Sequence, residues 1–273
     1  MSVESLLKRY ESYGKQMTNS NQLNIIFASW GNDSLALVQW AIQHKLDNVI
    51  VAYSDTQWAS KEWPGIVNKR EEFARLAGFK TVRIPSEGMA NLVRRKKGWP
   101  GCRKFQFCTT ELKILPAQQW LATIDPDKEA MCLTGVRRCE SKERADWPEY
   151  LMESEKHEGR ELWSPLVDFS DAQRDALIAN AGFSPLPHRS MECFPCVCSN
   201  RTDLRMLTAD RITEIEIMEL QMGTTSKDNL RTMFRPYRHM GAIGIREVHK
   251  WAMSDHGKYQ PAGQVCDSGF CGG

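Results

Sequence analysis

Long apolar runs are missing from this 273-residue sequence. No uninterrupted hydrophobic stretch approaches the roughly 20 residues of a membrane-spanning helix. The opening Met-Ser-Val-Glu-Ser-Leu-Leu has neither the basic nor the apolar region of a secretion signal, so a cytoplasmic protein without membrane partners is expected. Charge of one sign is missing too. Lys plus Arg number 36 against 34 Asp plus Glu, a net charge of +2, which gives no global argument for nucleic-acid or membrane binding. No Gly-Lys-Ser/Thr stands at the spacing of a Walker loop. None of the six histidines has metal-ligand spacing, and His239 and His249 read as packing residues. No internal repeat is present. Cysteine, by contrast, is plentiful: nine residues, which in a reducing compartment read as thiols, metal ligands or catalytic groups rather than a disulfide frame.

The chain is organised around residues 23–38. Ile25 to Ala28 is an unbroken apolar run that reads as a buried strand, and Leu35, Leu37, Val38, Ala41 and Ile42 follow with the spacing of an amphipathic helix. The tight turn between them carries Ser29, Gly31, Asn32, Asp33 and Ser34. Such a turn aims backbone N–H groups and the positive end of a helix dipole at one point, and Gly31 lets an anion approach the backbone. By shape alone an ordinary capped helix start fits equally well, since Ser, Asn and Asp favour that position.

A strand-helix rhythm continues from this unit. Strands are expected at Asn48–Tyr53, Lys80–Ile84 and Ala130–Thr134, with a last short one within Trp163–Phe169. Helices are expected at about 61–76 and from Thr109 or Thr110, with a kink or break at Pro116. Residues 3–18 read as a leading amphipathic helix. Together these predict an α/β fold: a parallel sheet flanked by helices, Rossmann-type, with functional loops at the carboxyl ends of the strands. The expected organisation is a nucleotide-binding α/β domain over 1–170, a cysteine-containing, mostly helical C-terminal region over 171–256, and a flexible tail over 257–273. Within the second part, helices are expected near 204–222 and 243–253.

Several side chains stand where these loops would gather. Asp55 ends the second strand, within reach of a ribose hydroxyl or a metal beside a bound nucleotide. Arg137, Arg138, Ser141, Lys142 and Arg144 follow the fourth strand, and guanidinium groups placed together match phosphate or sulfate oxygens. Arg94, Arg95, Lys96, Lys97, Arg103 and Lys104 form a basic stretch that is either an anion-binding loop or a solvated face. Cys193-x-x-Cys196 has the spacing that brings two thiolates to one metal, and either Cys102 and Cys108 or, alternatively, Cys266 and Cys271 complete a four-thiolate site. Cys132 lies in an apolar strand and reads as core, while Cys139 and Cys198 carry no assignment. Trp58, Trp63 and Trp99 read as buried rather than as adenine-stacking.

The order of residues adds a resemblance. Ser29-Trp30-Gly31-Asn32-Asp33-Ser34 resembles the Ser-Gly-Gly-x-Asp-Ser loop of the ATP pyrophosphatases, the adenine nucleotide α-hydrolase superfamily. Thr134-Gly135-Val136-Arg137-Arg138-Cys139-Glu140-Ser141-Lys142-Glu143-Arg144 resembles the Thr-Gly-x-Arg-x-x-Glu/Gln-Ser-x-x-Arg segment of the phosphoadenosine phosphosulfate (PAPS) and adenylyl sulfate reductases. Lys113-Ile114-Leu115-Pro116 matches their Lys-x-x-Pro, and Trp163-Ser164-Pro165-Leu166 their later Pro-Leu strand. The spacing of Cys102 and Cys108 resembles that of relatives from phage genomes and of proteins that modify DNA with sulfur, rather than the adjacent cysteines of iron-sulfur reductases.

The resemblance implies an adenine nucleotide lying against Ser29, Gly31, Asn32, Asp33, Ser34 and Asp55, with Lys113, Arg137, Arg138, Ser141 and Arg144 at its anionic end. It implies a [4Fe-4S] cluster on Cys102, Cys108, Cys193 and Cys196, with zinc as the alternative. Family reductases carry a nucleophilic cysteine on a C-terminal segment, a role that falls here to Cys271 or Cys266, although the Glu-Cys-Gly-Leu/Ile-His signature is absent. The substrate would then be a sulfonucleotide, and a thioredoxin-like dithiol the reductant. Two other readings stand beside this one. Asp33-Ser34 also resembles the ATP-hydrolysing branch, which implies sulfur transfer or activation with Mg²⁺ on nucleic acid or a small molecule, although Asn32 replaces the lysine common there. A nucleotide- or cluster-binding regulator without turnover is the third.

Overall fold

The structure, a computed structural model, describes residues 22–102, 105–225, 229–235 and 243–254. The expected helix at 3–18, the tail at 257–273 with Cys266 and Cys271, His239, Arg103 and Lys104 lie outside the described residues.

Alternation along the first strand sets the layers. In β1 (Asn24–Phe27), Ile25 and Phe27 join a smaller apolar cluster on one sheet face, while Ile26, followed by Ala28, joins the larger cluster on the other, as a period of two requires. The sheet is six-stranded, in the order β3-β2-β1-β4-β6-β5, built from β2 (Val49–Asp55), β3 (Lys80–Pro85), β4 (Met131–Leu133), β5 (Tyr150–Ser154) and β6 (Arg160–Trp163). Every neighbouring pair is parallel except β5 and β6.

The larger apolar layer holds α1 (Asn32–Gln43), whose residues Asn32 to Ala41 are all buried, and α2 (Trp63–Leu76) and α3 (Met89–Lys96). The smaller layer is covered by α4 (Leu115–Ile124), which contributes Ala117 and Leu121. Pro116 does not break this helix. A helical turn at Phe107–Thr109 leads into a π-helical stretch at Thr110–Ile114, and α4 follows with Pro116 in its first turn, where a proline removes no needed donor.

The C-terminal region adds α5 (Asp171–Asn180), α6 (Arg201–Arg205), α7 (Ala209–Met222) and α8 (Ile245–Met253) to the larger layer. The helix expected near 204–222 is two, because Thr208 caps a new start by accepting the Arg211 N–H. Glu219 of α7 ties in α8 by accepting the Ile245 N–H at 2.8 Å, and it accepts the Met233 N–H at 2.9 Å.

Strand β5 is not visible in the sequence as an alternating pattern. It lies at the sheet edge, with Met152 and Glu153 exposed, so little of it needs to be apolar. The short strand expected within 163–169 is displaced: β6 runs Arg160–Trp163, and the Ser164–Phe169 segment folds into turns.

Strand order places the functional crevice. Going outward from β1, the chain runs to β2 and β3 on one side and to β4 on the other. The carboxyl ends of β1 and β4 therefore flank a topological switch point, where open α/β sheets form ligand crevices.

Candidate active site

The β1–α1 loop is held open-handed by its own backbone. Trp30 takes a positive φ of 60°, unusual for a bulky residue, and its carbonyl accepts from the buried guanidinium of Arg70 on α2. Burial lowers Arg70 to about 10. The Gly31 N–H donates to Ser29 Oγ at 3.3 Å, and Ser34 Oγ donates to the Gly31 carbonyl at 3.2 Å. Asn32 makes a two-point clamp with a distant turn: its Nδ2 donates to the Leu186 carbonyl and its Oδ1 accepts the Leu186 N–H, both at 2.9 Å.

Asp33 faces the other way, across the switch point. It pairs with Arg137 in the loop after β4, and neither side chain is more than 3% exposed. The close approach depends on Gly135: a Cβ there would stand 2.8 Å from the Asp33 carbonyl oxygen. Burial works against the Arg137 charge, but the Asp33 carboxylate outweighs it and holds the guanidinium above its ordinary value. Arg137 also reaches Asp171 at 3.0 Å, the Phe169 carbonyl at 3.2 Å and Cys139 Sγ at 2.9 Å. Arg174 of α5 adds a second guanidinium, 3.1 Å from Asp171 and 3.9 Å from Asp33. Asp171 itself is 74% exposed. The neighbouring cations are engaged as well: Arg138 pairs with Asp168, and Arg144 with Glu140, whose other oxygen accepts the Arg137 N–H at 2.9 Å.

A cavity opens on the other side of β1, where residues 190–195 run along the segment after β2. Ser60 N–H donates to the Met191 carbonyl at 3.0 Å, Phe194 N–H to the Trp58 carbonyl at 2.8 Å, and Thr56 Oγ1 to the Glu192 carbonyl at 2.9 Å. This strapping carries Cys193 and Cys196 against Cys108, and the three thiols line a cavity of about 30 Å³ with Thr56, Lys113 and Glu192. Lys113 and Glu192 form a buried pair there, each side chain at most 6% exposed. Burial acts to lower Lys113, but Glu192 beside it holds it above the ordinary lysine value. The second carboxylate oxygen of Glu192 is buried without a hydrogen-bond partner. Burial pushes the Cys108 thiol up to about 12, and it raises Cys193, with the sulfurs of Cys196 and Cys108 adding to the effect.

The sequence profile of the phosphoadenosine phosphosulfate reductase domain matches residues 23–195. The chain belongs to this family. No curated protein matches it in sequence. Among solved structures, the chain is similar to an NMN synthetase from Francisella tularensis (TM-score 0.50, 10% identity, covering 94% of this chain and 95% of that one). It is also similar to the phosphate complex of a phosphoadenylyl-sulfate reductase from Candida auris (TM-score 0.47, 16% identity, 68% and 89%) and to the U34-tRNA thiolase of Methanococcus maripaludis with its [4Fe-4S] cluster (TM-score 0.44, 12% identity, 68% and 68%). At 10% identity the likeness to the NMN synthetase is one of fold alone, a Rossmann-like α/β fold.

Within this PAPS reductase family fold, the residues singled out from sequence divide between the two places. Ser29, Gly31, Asn32, Asp33, Ser34 and Arg137 meet at the switch point, with Arg138 and Arg144 on the two short 3₁₀ turns just beyond and Ser141 extended between them. Lys113 instead lies in the thiol cavity. Asp55 closes a turn, accepting the Gln57 N–H at 2.9 Å, and its backbone carbonyl accepts from Ser86. Trp58, Trp63 and Trp99 are buried. The basic stretch is in part the end of α3, where Arg95 and Lys96 pair with Glu111.

One cysteine differs from expectation. Cys102, read as a free ligand, is joined in a disulfide to Cys198, which had no assignment; their Cα atoms are 5.0 Å apart, within the reach of such a bond. The sequence could not reveal this pairing, because 96 residues separate the two. Among the described residues, no set of three or more His, Cys, Asp or Glu side chains is already disposed to hold a metal ion. The donors Cys108, Cys193 and Cys196 are nonetheless gathered at one cavity, beside an orphaned carboxylate oxygen. Soft sulfur donors of this kind suit zinc or an iron-sulfur centre. Asp171, Arg174 and Glu192 were not singled out from sequence. The signal for Glu192 was its place next to the Cys-x-x-Cys pair, and none marked the other two.

Proposed function

We propose that this chain is a sulfonucleotide reductase that takes PAPS or adenylyl sulfate. The observation that carries the reading is the Asp33–Arg137 pair, which seats the two family segments across one switch-point crevice. The N–H groups at the start of α1 and the guanidinium groups of Arg137 and Arg174, paired here with Asp33, Asp171 and Asp175, are the donors this crevice would offer a nucleotide's phosphate and sulfate. Asp171, exposed and bridging both guanidiniums, is the carboxylate an incoming anion would displace.

The reaction needs a thiolate, which we assign to Cys271 or Cys266. Attack on the sulfate sulfur forms a sulfur–sulfur bond, breaks the bond to the bridging oxygen, and releases the nucleotide phosphate. A dithiol such as thioredoxin then attacks the cysteine sulfur, releases sulfite and ends as a disulfide. Cys108, Cys193, Cys196 and, once freed, Cys102 would hold a [4Fe-4S] cluster, or zinc in its place; with four thiolates either site would carry net negative charge, which the Lys113 ammonium beside it would offset.

A nucleotide panel tests the reading. The protein incubated with PAPS, with adenylyl sulfate and with ATP, with a dithiol present, should release sulfite from a sulfonucleotide and no pyrophosphate from ATP. Loss of sulfite release in Cys271→Ser or Cys266→Ser locates the nucleophile. Pyrophosphate from ATP without sulfite from either sulfonucleotide would replace this reading with ATP-dependent activation.

A further inference from the structure

Three segments distant in sequence meet on one exposed face. Arg94, Arg95, Lys96 and Lys97 close α3 and are all exposed, Phe105 stands in the loop that follows, and Arg231 and Arg235 come from the stretch after α7. Contacts join the segments. Arg231 Nη1 donates to the Lys97 carbonyl, and the Arg235 guanidinium lies 5.8 Å from the centre of the Phe105 ring. The carboxylates paired with these cations are Glu87, on Arg95, and Glu111, on Arg95 and Lys96. Arg94 donates to the neutral Asn91 side chain at 3.2 Å and Arg231 to two backbone carbonyls, contacts that leave their charges uncancelled. Six cations against two carboxylates is an excess of four on one face, twice the excess of two carried by the whole chain. Phe105 lies among them 65% exposed. The face borders the thiol cavity rather than the Asp33–Arg137 crevice, since Met89, first in α3, and Gln106, next to Phe105, line that cavity.

We propose that this face docks single-stranded nucleic acid, with the Phe105 ring as the platform for a base and Arg94, Lys97, Arg231 and Arg235 holding the phosphates beside it. Cations set around an exposed aromatic ring match a strand that offers phosphates and unpaired base faces together. A duplex matches less well. Its bases are stacked on one another and cannot reach a ring at the protein surface. An acidic polypeptide would satisfy the charges but bring nothing to stack on Phe105, and a lipid surface calls for several apolar side chains where this cluster exposes one. The pairing of Arg95 and Lys96 with Glu87 and Glu111 fixes those two side chains, which leaves Arg94, Lys97, Arg231 and Arg235 as the phosphate contacts. The proposal stands apart from the reading of the switch-point crevice, because none of these residues belongs to it.

Fluorescence anisotropy on the full chain tests it, with a labelled single-stranded DNA of about 20 nucleotides and mixed sequence, the duplex of the same sequence, and polyglutamate as probes. The single strand should bind at least about tenfold more tightly than the duplex or polyglutamate, the worth of one stacked base. Four phosphate contacts on a single strand should weaken that binding about fiftyfold between 50 and 200 mM salt. Phe105→Ala should bind the strand about tenfold more weakly with the same salt dependence, and its thermal midpoint should hold because the ring is exposed. The double variant Arg94→Gln, Lys97→Gln should instead flatten the salt dependence, to about sevenfold over the same range. No binding of the strand at 50 mM salt overturns the proposal. So does equal binding of strand, duplex and polyglutamate with Phe105→Ala unaffected, which is attraction to any polyanion, and so does tighter binding of polyglutamate, which assigns the face to an acidic protein. The wild-type comparison of probes needs no variant, and it is read without a sulfonucleotide, so its outcome is separate from that of the nucleotide panel.

Discussion

Asp33, at the start of α1, and Arg137, in the loop after β4, are 104 residues apart and form a buried ion pair that closes the switch point from behind. Removing one partner strands the other away from water. Asp33→Asn should lower the stability of the protein by about 3 kcal/mol, the lower end for breaking a buried pair, because Asp171 remains on Arg137. Urea unfolding of the variant checks this, and a change below about 1 kcal/mol would show that the pair is not a structural hinge of the site.

Asp171 pairs with both Arg137 and Arg174, where the proposed anionic substrate would have to displace it. Since it is exposed, its pairing adds at most about 1 kcal/mol. Asp171→Asn should therefore bind sulfonucleotide up to about fivefold more tightly, with little change in stability. Calorimetric titration with adenylyl sulfate or PAPS measures it, and weaker binding would mean that Asp171 holds the ligand rather than its place.

Gly135 is fixed by space rather than by dihedral angle. A methyl group there meets backbone of Asp33, which cannot swing aside. Gly135→Ala should cost about 1–3 kcal/mol and push the two loops apart. Its nucleotide affinity should fall along with its thermal midpoint.

Lys113 and Glu192 are best examined as a pair. Lys113→Met leaves a buried carboxylate and Glu192→Gln a buried ammonium, so each should destabilise by about 3 kcal/mol or more. The double variant buries no net charge and should recover a large part of that loss. A denaturation double-mutant cycle reads the coupling directly, and simple additivity would contradict a shared ion pair.

His157 gives the fold an acid-sensitive element. Burial, with Lys156 and Arg160 nearby adding to it, lowers His157 to about 3, from an ordinary value of 6.5. The unfolded chain therefore binds a proton that the folded chain refuses, and the stability this group supports is complete above pH 6.5 and lost as pH falls toward 3. Between pH 7 and pH 5 the loss should be about 2 kcal/mol. Urea midpoints at the two pH values should lie further apart for the wild type, lower at pH 5, than for His157→Gln, in which this titration is absent.

Elements whose apolar residues face both ways were legible from the chain. β1, β2 and β4 are buried on two faces and read as continuous apolar runs, and the Ser29–Ser34 turn between β1 and α1 carried its own signature. α3 was legible in principle through Met89, Leu92 and Val93, but its basic last turn drew the reading toward a loop. β5 was not legible, because an edge strand with one partner needs few apolar side chains.

The site followed the same division. The sequence by itself determined a nucleotide-binding type of α/β sheet, the loop at its first strand and the basic segment after its fourth, since each of these is written in residues close together in the chain. Tertiary structure alone decided that Arg137 would be held by Asp33, that Lys113 would pair with Glu192, and that Cys102 would meet Cys198. Those partners are 104, 79 and 96 residues apart. These charges are paired because an unpaired charge away from water is costly, and which groups share such a place depends on strand order, which local pattern does not record.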